Sequence, residues 1–393
     1  MSKRSPGRHC RASRAKTAFK VPVLSFFTGG GFLDMGFEQA GFKIVWTNEV
    51  NPVFAGLYEH GMTAWRRSRD SNAAPAEMHS RTSIDGLSPR TILKKAFPKK
   101  RPKVFGIIGG PPCSDFSNAG KQHGGKGTNG RLTRIFVNRI CKIRPSFFML
   151  ENVAGLYRTK RHRKFLEKLE QKLEAHGYHL DARILNALEL GVPQDRERLV
   201  LVGVRHHLAR NYLRHPIVRK RHGWFPWPVK RRFKDAKTRF SWPGKVSNGN
   251  RVLRINGTPI ELTVFHALNG GTPLSALPNG REGFKPYSVR FKNVLEGDTK
   301  RKSFKRLHRF RYSPTACYGH NEVHLHPWKD RRLTVREAMR IQGIPDSYVL
   351  PREAFLGPKF TLISNGVPVP LGRAVALSLR KFLLRSTGRT SRR

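Results

Sequence analysis

Cys113 is the residue of this chain whose surroundings point most directly to chemistry. It follows two glycines and two prolines, Gly109–Pro112, which fix a tight loop and place one thiol at its tip. A free thiol has a pKa of about 8.5 and is a poor nucleophile until its thiolate is stabilised, which nearby cations and helix N-terminal amides can do. We therefore predict a nucleophilic cysteine here. Cys10, Cys141 and Cys317 lack such a loop, and we expect them to be small buried apolar residues.

Two further segments carry charged groups at the ends of apolar runs. Glu151 follows the apolar segment that ends at Leu150, and apolar neighbours raise the pKa of a carboxyl group until it can hold or donate a proton near neutrality. An acidic residue near a helix N-terminus is an equally ordinary explanation. In Gln194–Arg198 the charges alternate, so Arg196 and Arg198 would share one face of a strand. There they could donate to a base carbonyl or a phosphate, or simply form surface salt bridges.

A glycine-rich turn, Phe27–Gly31, is predicted to open a helix that continues to Ala40. Glycines let a backbone approach a ligand closely at a helix N-terminus. The spacing is not G-x-G-x-x-G, which disfavours a nicotinamide dinucleotide. Glu49 stands 20 residues after Gly29, where a carboxylate can bind ribose hydroxyls. The segment therefore favours a nucleoside-bearing cofactor of another kind.

The elements that must position these residues are short apolar strands alternating with helical stretches. Such alternation predicts βαβ units and an α/β domain with a parallel sheet covered on both faces. Ligands of these sheets bind beyond the carboxyl ends of the strands, which is where the candidate residues lie. The predicted strands are Val21–Phe27, Phe42–Thr47, Val104–Ile108, Phe147–Leu150, Arg183–Asn186 and Leu199–Val204. Two later helices are predicted over Thr334–Gln342 and Leu371–Leu384.

The composition points to a polyanionic partner. The 393 residues include 76 Lys and Arg against 26 Asp and Glu, a formal net charge of +50. Lysines and arginines release counterions from phosphates, so nucleic acid is the expected partner, although a basic compositional bias would supply part of the excess. The four cysteines contain no CxxC pair, which argues against disulfides and a structural zinc site; we expect no metal and an intracellular setting. No run of about 18 apolar residues predicts a membrane-spanning helix.

Charge and texture divide the chain. Residues 1–20 form a predicted disordered basic tail, with an organelle transit peptide as the alternative. Residues 21–205 hold the strand–helix alternation. Residues 206–330 form a basic lobe whose interleaved aromatic residues are predicted to be core. Residues 331–385 return to the first domain, and 386–393 are a second basic tail.

Taken in their order, these segments resemble the cytosine-C5 DNA methyltransferases. The glycine turn is similar to their first cofactor motif, the Pro-Cys loop to their nucleophile motif, and the Glu-Asn-Val and Gln-x-Arg-x-Arg segments to the next two. Arg332–Asp346 resembles the helix that braces the recognition lobe, and Asn365–Pro368 the last motif, which returns to the cofactor pocket. The resemblance spans residues 21–385. It implies a doubly wound, Rossmann-like methyltransferase sheet with a second, smaller target-recognition domain at 206–330.

The resemblance also implies roles for individual residues. Cys113 would add to C6 of a cytosine flipped out of the duplex, Glu151 would hydrogen-bond or protonate N3, and Arg198 would contact the base carbonyl oxygen. Asn152 and Arg196 would support the site. The cofactor would be S-adenosyl-L-methionine, held by Phe27, Gly29, Gly31, Glu49, Ile84, Asp85, Pro112, Asn365 and Val367.

Four positions depart from the family pattern, and each could weaken cofactor affinity. Phe32 stands where a glycine is usual, and Ser114 replaces the commoner glutamine after the nucleophile. Ser83 replaces an aspartate that contacts adenine, for which Asp85 could substitute. The first strand ends in Ser25 rather than in aspartate.

The expected partner is double-stranded DNA, bound by a monomer without a membrane, with a cognate restriction endonuclease possible outside the complex. An RNA methyltransferase of the same fold is the first alternative, and the long basic insert disfavours it because the family's transfer-RNA members have a small recognition lobe. A non-catalytic DNA-binding regulator is disfavoured because Cys113 and Glu151 are both present. A nicotinamide oxidoreductase is a distant third.

Overall fold

A six-stranded sheet forms the centre of the computed structural model, which describes residues 19–112, 128–213, 223–247, 252–285, 288–301, 303–319 and 322–386. The strands lie in the order β2-β1-β3-β4-β6-β5. They are β1 (Pro22–Phe26), β2 (Lys43–Asn48), β3 (Gly106–Gly109), β4 (Phe147–Val153), β5 (Tyr178–Asn186) and β6 (Glu197–Arg205). Each predicted strand is confirmed, with β5 beginning five residues earlier than its prediction, at Tyr178 instead of Arg183.

The sheet is mixed, so the prediction of a parallel sheet is wrong for one strand. Strands β1 to β4 pair in parallel, whereas β6 pairs antiparallel with both β4 and β5. The reason lies in the connection between β5 and β6. A parallel return needs a crossover of a dozen or more residues, usually a helix. Residues 187–196 contain only a 3₁₀ turn, Ala187–Leu190, so the chain turns back beside itself.

Helices cover both faces of the sheet, as predicted. Val23 and Leu24 are neighbours on β1 but belong to different apolar clusters. One cluster includes the helix after β1 and the last described helix, and the other includes three helices that lie between β2 and β5. This alternation is the period-two pattern of a strand buried on both sides. The helices are α1 (Phe32–Gln39), α2 (Pro52–Arg67), α3 (Pro89–Ala96), α4 (Thr128–Ile143), α5 (Gly155–Arg158), α6 (Lys160–Ala175), α7 (His206–Leu213), α8 (Ala236–Arg239), α9 (Val264–Asn269), α10 (Val335–Ile341), α11 (Leu356–Asn365) and α12 (Val369–Ser386).

Local sequence explains where the functional helices begin. Asn51 caps α2 by accepting from two backbone amides, and proline occupies the first helical position. Thr334 and Glu337 form a reciprocal capping box at the start of α10. The predicted helix Thr334–Gln342 is confirmed to within one residue at each end, and the predicted helix Leu371–Leu384 lies inside α12.

The described part of residues 206–330 contains short helices and irregular chain. Phe225 and Trp227 are buried against the core of the sheet, whereas Phe233 packs in a small separate cluster with Leu188 and Leu262. These three rings are 4%, 9% and 8% exposed, which confirms that they are core residues. The boundary of the lobe at residue 206 stays a prediction.

One segment is long and apolar enough to resemble a membrane span. Leu356–Ser386 contains an 18-residue window of mean hydropathy 1.2, and 61% of that window is buried inside the protein. The segment is two helices, α11 and α12, that break between Asn365 and Val369. Its apolar character is accounted for by packing against the sheet and the neighbouring helices.

Several predictions concern residues outside the described part of the chain. They include Cys113 with its successor Ser114, and Cys10. The basic tails predicted at 1–20 and 386–393 also lie there, except for residues 19, 20 and 386.

Candidate active site

A cleft of about 1250 Å³ opens at the carboxyl ends of β1 to β4. The start of β6 reaches the same edge because that strand runs in the opposite direction. Most of the predicted site residues line this cleft: Phe27, Gly29, Glu49, Ile84, Pro112, Glu151, Arg198, Asn365 and Val367. The sequence therefore predicted a set of residues that the fold brings together from seven separate segments of the chain.

Glu151 and Arg198 form an ion pair in the wall of the cleft. The Nε atom of Arg198 lies 2.9 Å from Oε1 of Glu151, and the two side chains are 11% and 10% exposed. Val153 is the direct cross-strand partner of Arg198, so Glu151, two residues earlier on the same face of β4, is its diagonal neighbour. Burial raises the pKa of Glu151, although the charges of Arg198 and Arg196 oppose that rise. Glu151 is thus a buried carboxyl group with a raised pKa beside a permanent cation.

Gly110 leaves the space that the Glu151 carboxylate occupies. A Cβ atom built on Gly110 would lie 2.8 Å from Oε2 of Glu151, which is closer than real Cβ contacts allow. Gly110 directly follows β3, so this close approach fixes the distance between the carboxylate and the loop that leads to Cys113. A side chain at this position would push the carboxylate away from its present place.

Asn152 also anchors that loop. Its Nδ2 atom donates to the carbonyl oxygen of Pro111 at 3.3 Å, while its Oδ1 atom accepts from the backbone amide of Val153. Asn152 is only 1% exposed. The side chain therefore ties the end of β4 to a carbonyl group two residues before Cys113, which suits the supporting role that the resemblance implies.

Arg196 acts as a buried strut beneath the cleft. It is 0% exposed, and its guanidinium donates to the carbonyl oxygens of Ala316, Ser364 and Gly366. A second side chain, Gln342 at the end of α10, donates to the same carbonyl of Gly366 at 2.8 Å. These bonds fix the backbone on both sides of Asn365, the predicted cofactor residue. Gln342 lies in the segment that resembles the bracing helix, but no local pattern indicates that its partner is the carbonyl group of Gly366.

The glycine turn is shaped as a ligand-binding loop. Gly29 has a φ of 51° and Gly31 a φ of 77°, a region that favours glycine. Glu49 accepts the backbone amide of Gly29 at 3.0 Å, so the carboxylate lies against the turn. Phe27 also has a positive φ of 55°, which is a strained value typical of ligand clamps. A Cβ on Gly29 would meet no described atom within 4 Å, because this position faces the open cleft.

The remaining predicted cofactor residues divide into two groups. Ile84, Pro112, Asn365 and Val367 line the cleft. Gly31 and Asp85 are not part of the lining: the Asp85 carboxylate pairs with Arg131 at 2.6 Å.

The departure at Phe32 has a packing explanation. Its ring lies edge-on to Tyr348 at 5.2 Å between centroids, and its side chain fills the space where a Cβ on Gly366 would fall. The ring of Phe32 therefore fills the space that a side chain at position 366 would otherwise occupy.

Two features of the cleft were missed by the sequence analysis. Cys317 was expected to be buried, but it is exposed and lines the cleft, so that prediction is wrong, while Cys141 is buried as predicted. The reason is that Cys317 lies in irregular chain, where apolar periodicity gives no signal. The second feature is Asp34 in the first turn of α1, which lines the same cleft and is 1% exposed. The one signal in the sequence that could have identified Asp34 is its position among apolar residues in the first turn of this helix.

The donor set fits a nucleoside cofactor with a charged tail. The turn at Gly29 offers an open backbone approach, Glu49 a carboxylate for hydroxyl groups, and Ile84 an apolar surface for a base. No group of three metal-ligating side chains lies together within the part of the chain that the structure describes.

Comparison with known proteins agrees with this geometry. Residues 21–381 match the family described as C-5 cytosine-specific DNA methylase. The Type II methyltransferase M.NmeDI of Neisseria meningitidis serogroup C is 40% identical over 371 residues, covering 93% of this chain and 84% of that protein. The Type II methyltransferase M.XorII of Xanthomonas oryzae is 30% identical, covering 92% of this chain and 84% of that one.

Solved structures share the fold at lower identity. The S. pombe Dnmt2 methyltransferase aligns with a TM-score of 0.53 at 16% identity, covering 94% of this chain and 99% of that one. The Entamoeba histolytica methyltransferase EhMeth aligns with a TM-score of 0.54 at 14% identity, with the same two coverages. From the family match over nearly the whole chain and the 40% identical relative, we conclude that this chain belongs to the C-5 cytosine-specific DNA methylases.

Proposed function

We propose that this enzyme transfers a methyl group from S-adenosyl-L-methionine to C5 of a cytosine that is flipped out of a specific site in duplex DNA. The observation that carries the proposal is the buried pair of Glu151 and Arg198. It lies in the wall of the cleft, beside the loop that leads to Cys113. Such a pair can hydrogen-bond to the polar edge of a ring while the thiolate attacks a ring carbon.

The nucleophile in this scheme is Cys113. Its thiolate adds to C6 of the cytosine, and the electron pair of the C5–C6 bond becomes available at C5. Glu151 donates a hydrogen bond or its proton to N3, which accepts the negative charge that the addition places on the ring. After C5 has been alkylated, a solvent water molecule takes the C5 proton, and the C5–C6 double bond re-forms as the Cys113 thiolate leaves. N3 returns to Glu151 any proton that it received, so the protein is regenerated.

Arg198 serves two partners in this scheme. Its Nε atom holds Glu151, and a guanidinium carries further N–H groups that can donate to the carbonyl oxygen of the base. Because the same planar cation contacts both groups, it sets the angle between the carboxyl group and the ring. Asn152 and Arg196 act indirectly, through the backbone bonds described above.

The cofactor supplies an electrophilic methyl group when it is bound. Around it, the backbone at Gly29 and the Glu49 carboxylate would orient the nucleoside, and Ile84 would cover one face of the base. Asn365 would hold the far side, at a place that the Arg196 strut fixes.

The DNA would lie across the open side of the cleft. Residues 206–330 supply the opposite rim, where Thr315, Cys317 and Tyr318 line the cleft. The formal net charge of +50 gives the phosphate contacts that position a duplex, and a few side chains of this segment would read base edges. We propose a monomer that acts as the modification enzyme of a restriction–modification pair, since the named relatives are Type II methyltransferases.

The test is covalent capture by a duplex that contains 5-fluorocytosine, because fluorine at C5 blocks the final elimination. Bisulfite sequencing of DNA from expressing cells first identifies the target site. The wild-type protein should then form a cofactor-dependent adduct on Cys113. Cys317→Ser is the matched control, since this second thiol lines the same cleft and its loss should leave capture intact. An adduct that survives Cys113→Ser, or no adduct in folded, cofactor-loaded protein, would overturn the proposal.

A further inference from the structure

Asp34 is a buried carboxyl group that the proposed chemistry does not use. It belongs to the first turn of α1, directly after the glycine turn, and it forms part of the cleft wall. Ser25 at the end of β1 donates to its Oδ1 atom at 2.6 Å, and Tyr58 of α2 donates to its Oδ2 atom at 3.1 Å. Both oxygens are therefore held in fixed positions.

No cation among the described residues contacts this carboxylate directly. Arg66, the nearby cation that acts on it electrostatically, is hydrogen-bonded to Glu38. Burial raises the pKa of Asp34 to about 7, and the nearby charge of Glu38 adds to that rise. Burying a carboxyl group without a cationic partner is costly, so its retention in the cleft wall suggests that a partner arrives with a ligand.

The position of Asp34 also bears on a departure noted in the sequence. The first strand ends in Ser25, where the family usually has an aspartate. In the structure the Ser25 hydroxyl points its hydrogen at Asp34, so a carboxylate does stand at the end of β1, but it comes from α1 instead of the strand. Exchanging the two residue types would return the carboxylate to the strand while leaving one hydroxyl and one carboxyl group in the pair.

We propose that Asp34 is a cofactor-binding residue whose carboxylate balances the positive charge of the methionyl part of the cofactor, in place of an acidic residue at the end of β1. This inference rests on the proposed function, because it assumes S-adenosyl-L-methionine as the ligand. That cofactor carries two cationic groups at this end, an ammonium and a sulfonium, whereas the demethylated product keeps only the ammonium.

Equilibrium binding by calorimetry tests the proposal without any turnover. Asp34→Asn removes the charge but keeps one acceptor for Ser25 or Tyr58 and a donor for the other hydroxyl. We expect cofactor affinity to fall about tenfold or more, the usual scale for losing a charge-assisted hydrogen bond. The double change Ser25→Asp with Asp34→Ser should restore most of that loss. Asp70→Asn is the matched control, since Asp70 is exposed, lies outside the cleft lining and is not among the groups that act on Asp34.

Two further readings separate the possible sources of the effect. A larger loss for the methylated cofactor than for the demethylated product assigns the contact to the sulfonium, and an equal loss assigns it to the ammonium. Near pH 7, wild-type binding should release protons into the buffer, because a cation favours the ionised form of Asp34. The groups that face it are Ser25, Tyr58, Glu38 and Arg66. The proton release should be smaller in Asp34→Asn.

Unchanged cofactor affinity in folded Asp34→Asn would overturn the inference and leave the methyltransferase proposal intact. The inference would also be contradicted if the double variant did not recover cofactor affinity although circular dichroism showed that it was folded. If the wild-type protein bound no cofactor at all, the proposed function itself would fail, so the two failures can be told apart.

Discussion

Replacing Gly110 by alanine should damage catalysis without damaging the fold. The added methyl carbon would lie 2.8 Å from Oε2 of Glu151, where ordinary contacts begin near 3.4 Å, so the carboxylate must retreat by about 0.6 Å. The atom that must move is the end of a flexible side chain, and the nearest backbone atom among the three closest described atoms is the Glu151 carbonyl oxygen at 3.9 Å. The retreat disturbs the 2.9 Å contact with Arg198 and the distance to the loop before Cys113.

The magnitude follows from the size of this displacement. Misplacing a reacting group by 1 Å can cost about 100-fold in rate, so a shift of about 0.6 Å predicts a loss of roughly tenfold in the methyl-transfer step. The free energy of unfolding should change by less than about 1 kcal/mol, because no cavity or buried unpaired group is created. Cofactor affinity should be unchanged, since the three described atoms nearest to the added carbon all belong to Glu151 and none to the glycine turn.

The assay is single-turnover methylation of a target duplex with labelled cofactor, beside urea unfolding of the same preparations. Gly56→Ala is the control, because Gly56 is exposed on α2 and its added carbon meets no described atom within 4 Å. A rate within twofold of wild type would show that the Glu151 position is not critical. A loss of stability above about 2 kcal/mol would show that the loop gave way instead of the carboxylate.

Four other measurements follow from the same structure. Arg196→Met should lower the free energy of unfolding by about 3 kcal/mol or more, because three buried carbonyl groups lose a charged donor; urea unfolding showing less than about 1 kcal/mol would contradict the strut. Thr334→Ala should cost about 1 kcal/mol through loss of the capping box, and Thr334→Ser should recover it. At saturating cofactor and DNA, the transfer rate should fall as pH rises through the raised pKa of Glu151, since the proton-donating form is lost; Glu151→Gln should be slower and lack this fall. Binding to non-target DNA should weaken steeply with added salt, and salt-insensitive binding would place the cations elsewhere than on the DNA surface.

Much of the site could be predicted because its parts are local. The glycine turn, the Pro-Cys loop and the acid at the end of β4 are short segments. In each of them the residue types alone indicate the backbone conformation or the chemistry. The rule that ligands bind beyond strand ends then placed them at one edge. Glu49 lies directly after β2 and was predicted in this way, and its carboxylate does contact the backbone amide of Gly29.

Other features depend on contacts that no local pattern encodes. The partners of Arg196 lie 120, 168 and 170 residues away along the chain. The exposure of Cys317 depends on which segments cover irregular chain. The position of the Asp34 carboxylate depends on hydrogen bonds from Ser25 and Tyr58, which lie in two other elements.

The direction of β6 marks the division between the two kinds of information. The sequence by itself determined that a strand follows Arg196, and it predicted candidate site residues at the charged start of that strand. Only the tertiary structure decided that this strand runs antiparallel to β4, which puts Arg198 beside Glu151. A parallel strand of nine residues would have placed Arg198 roughly 25 Å away, at the opposite edge of the sheet. The alternation of apolar residues is the same in both directions, so the pattern fixes which residues are buried but not which way the strand runs.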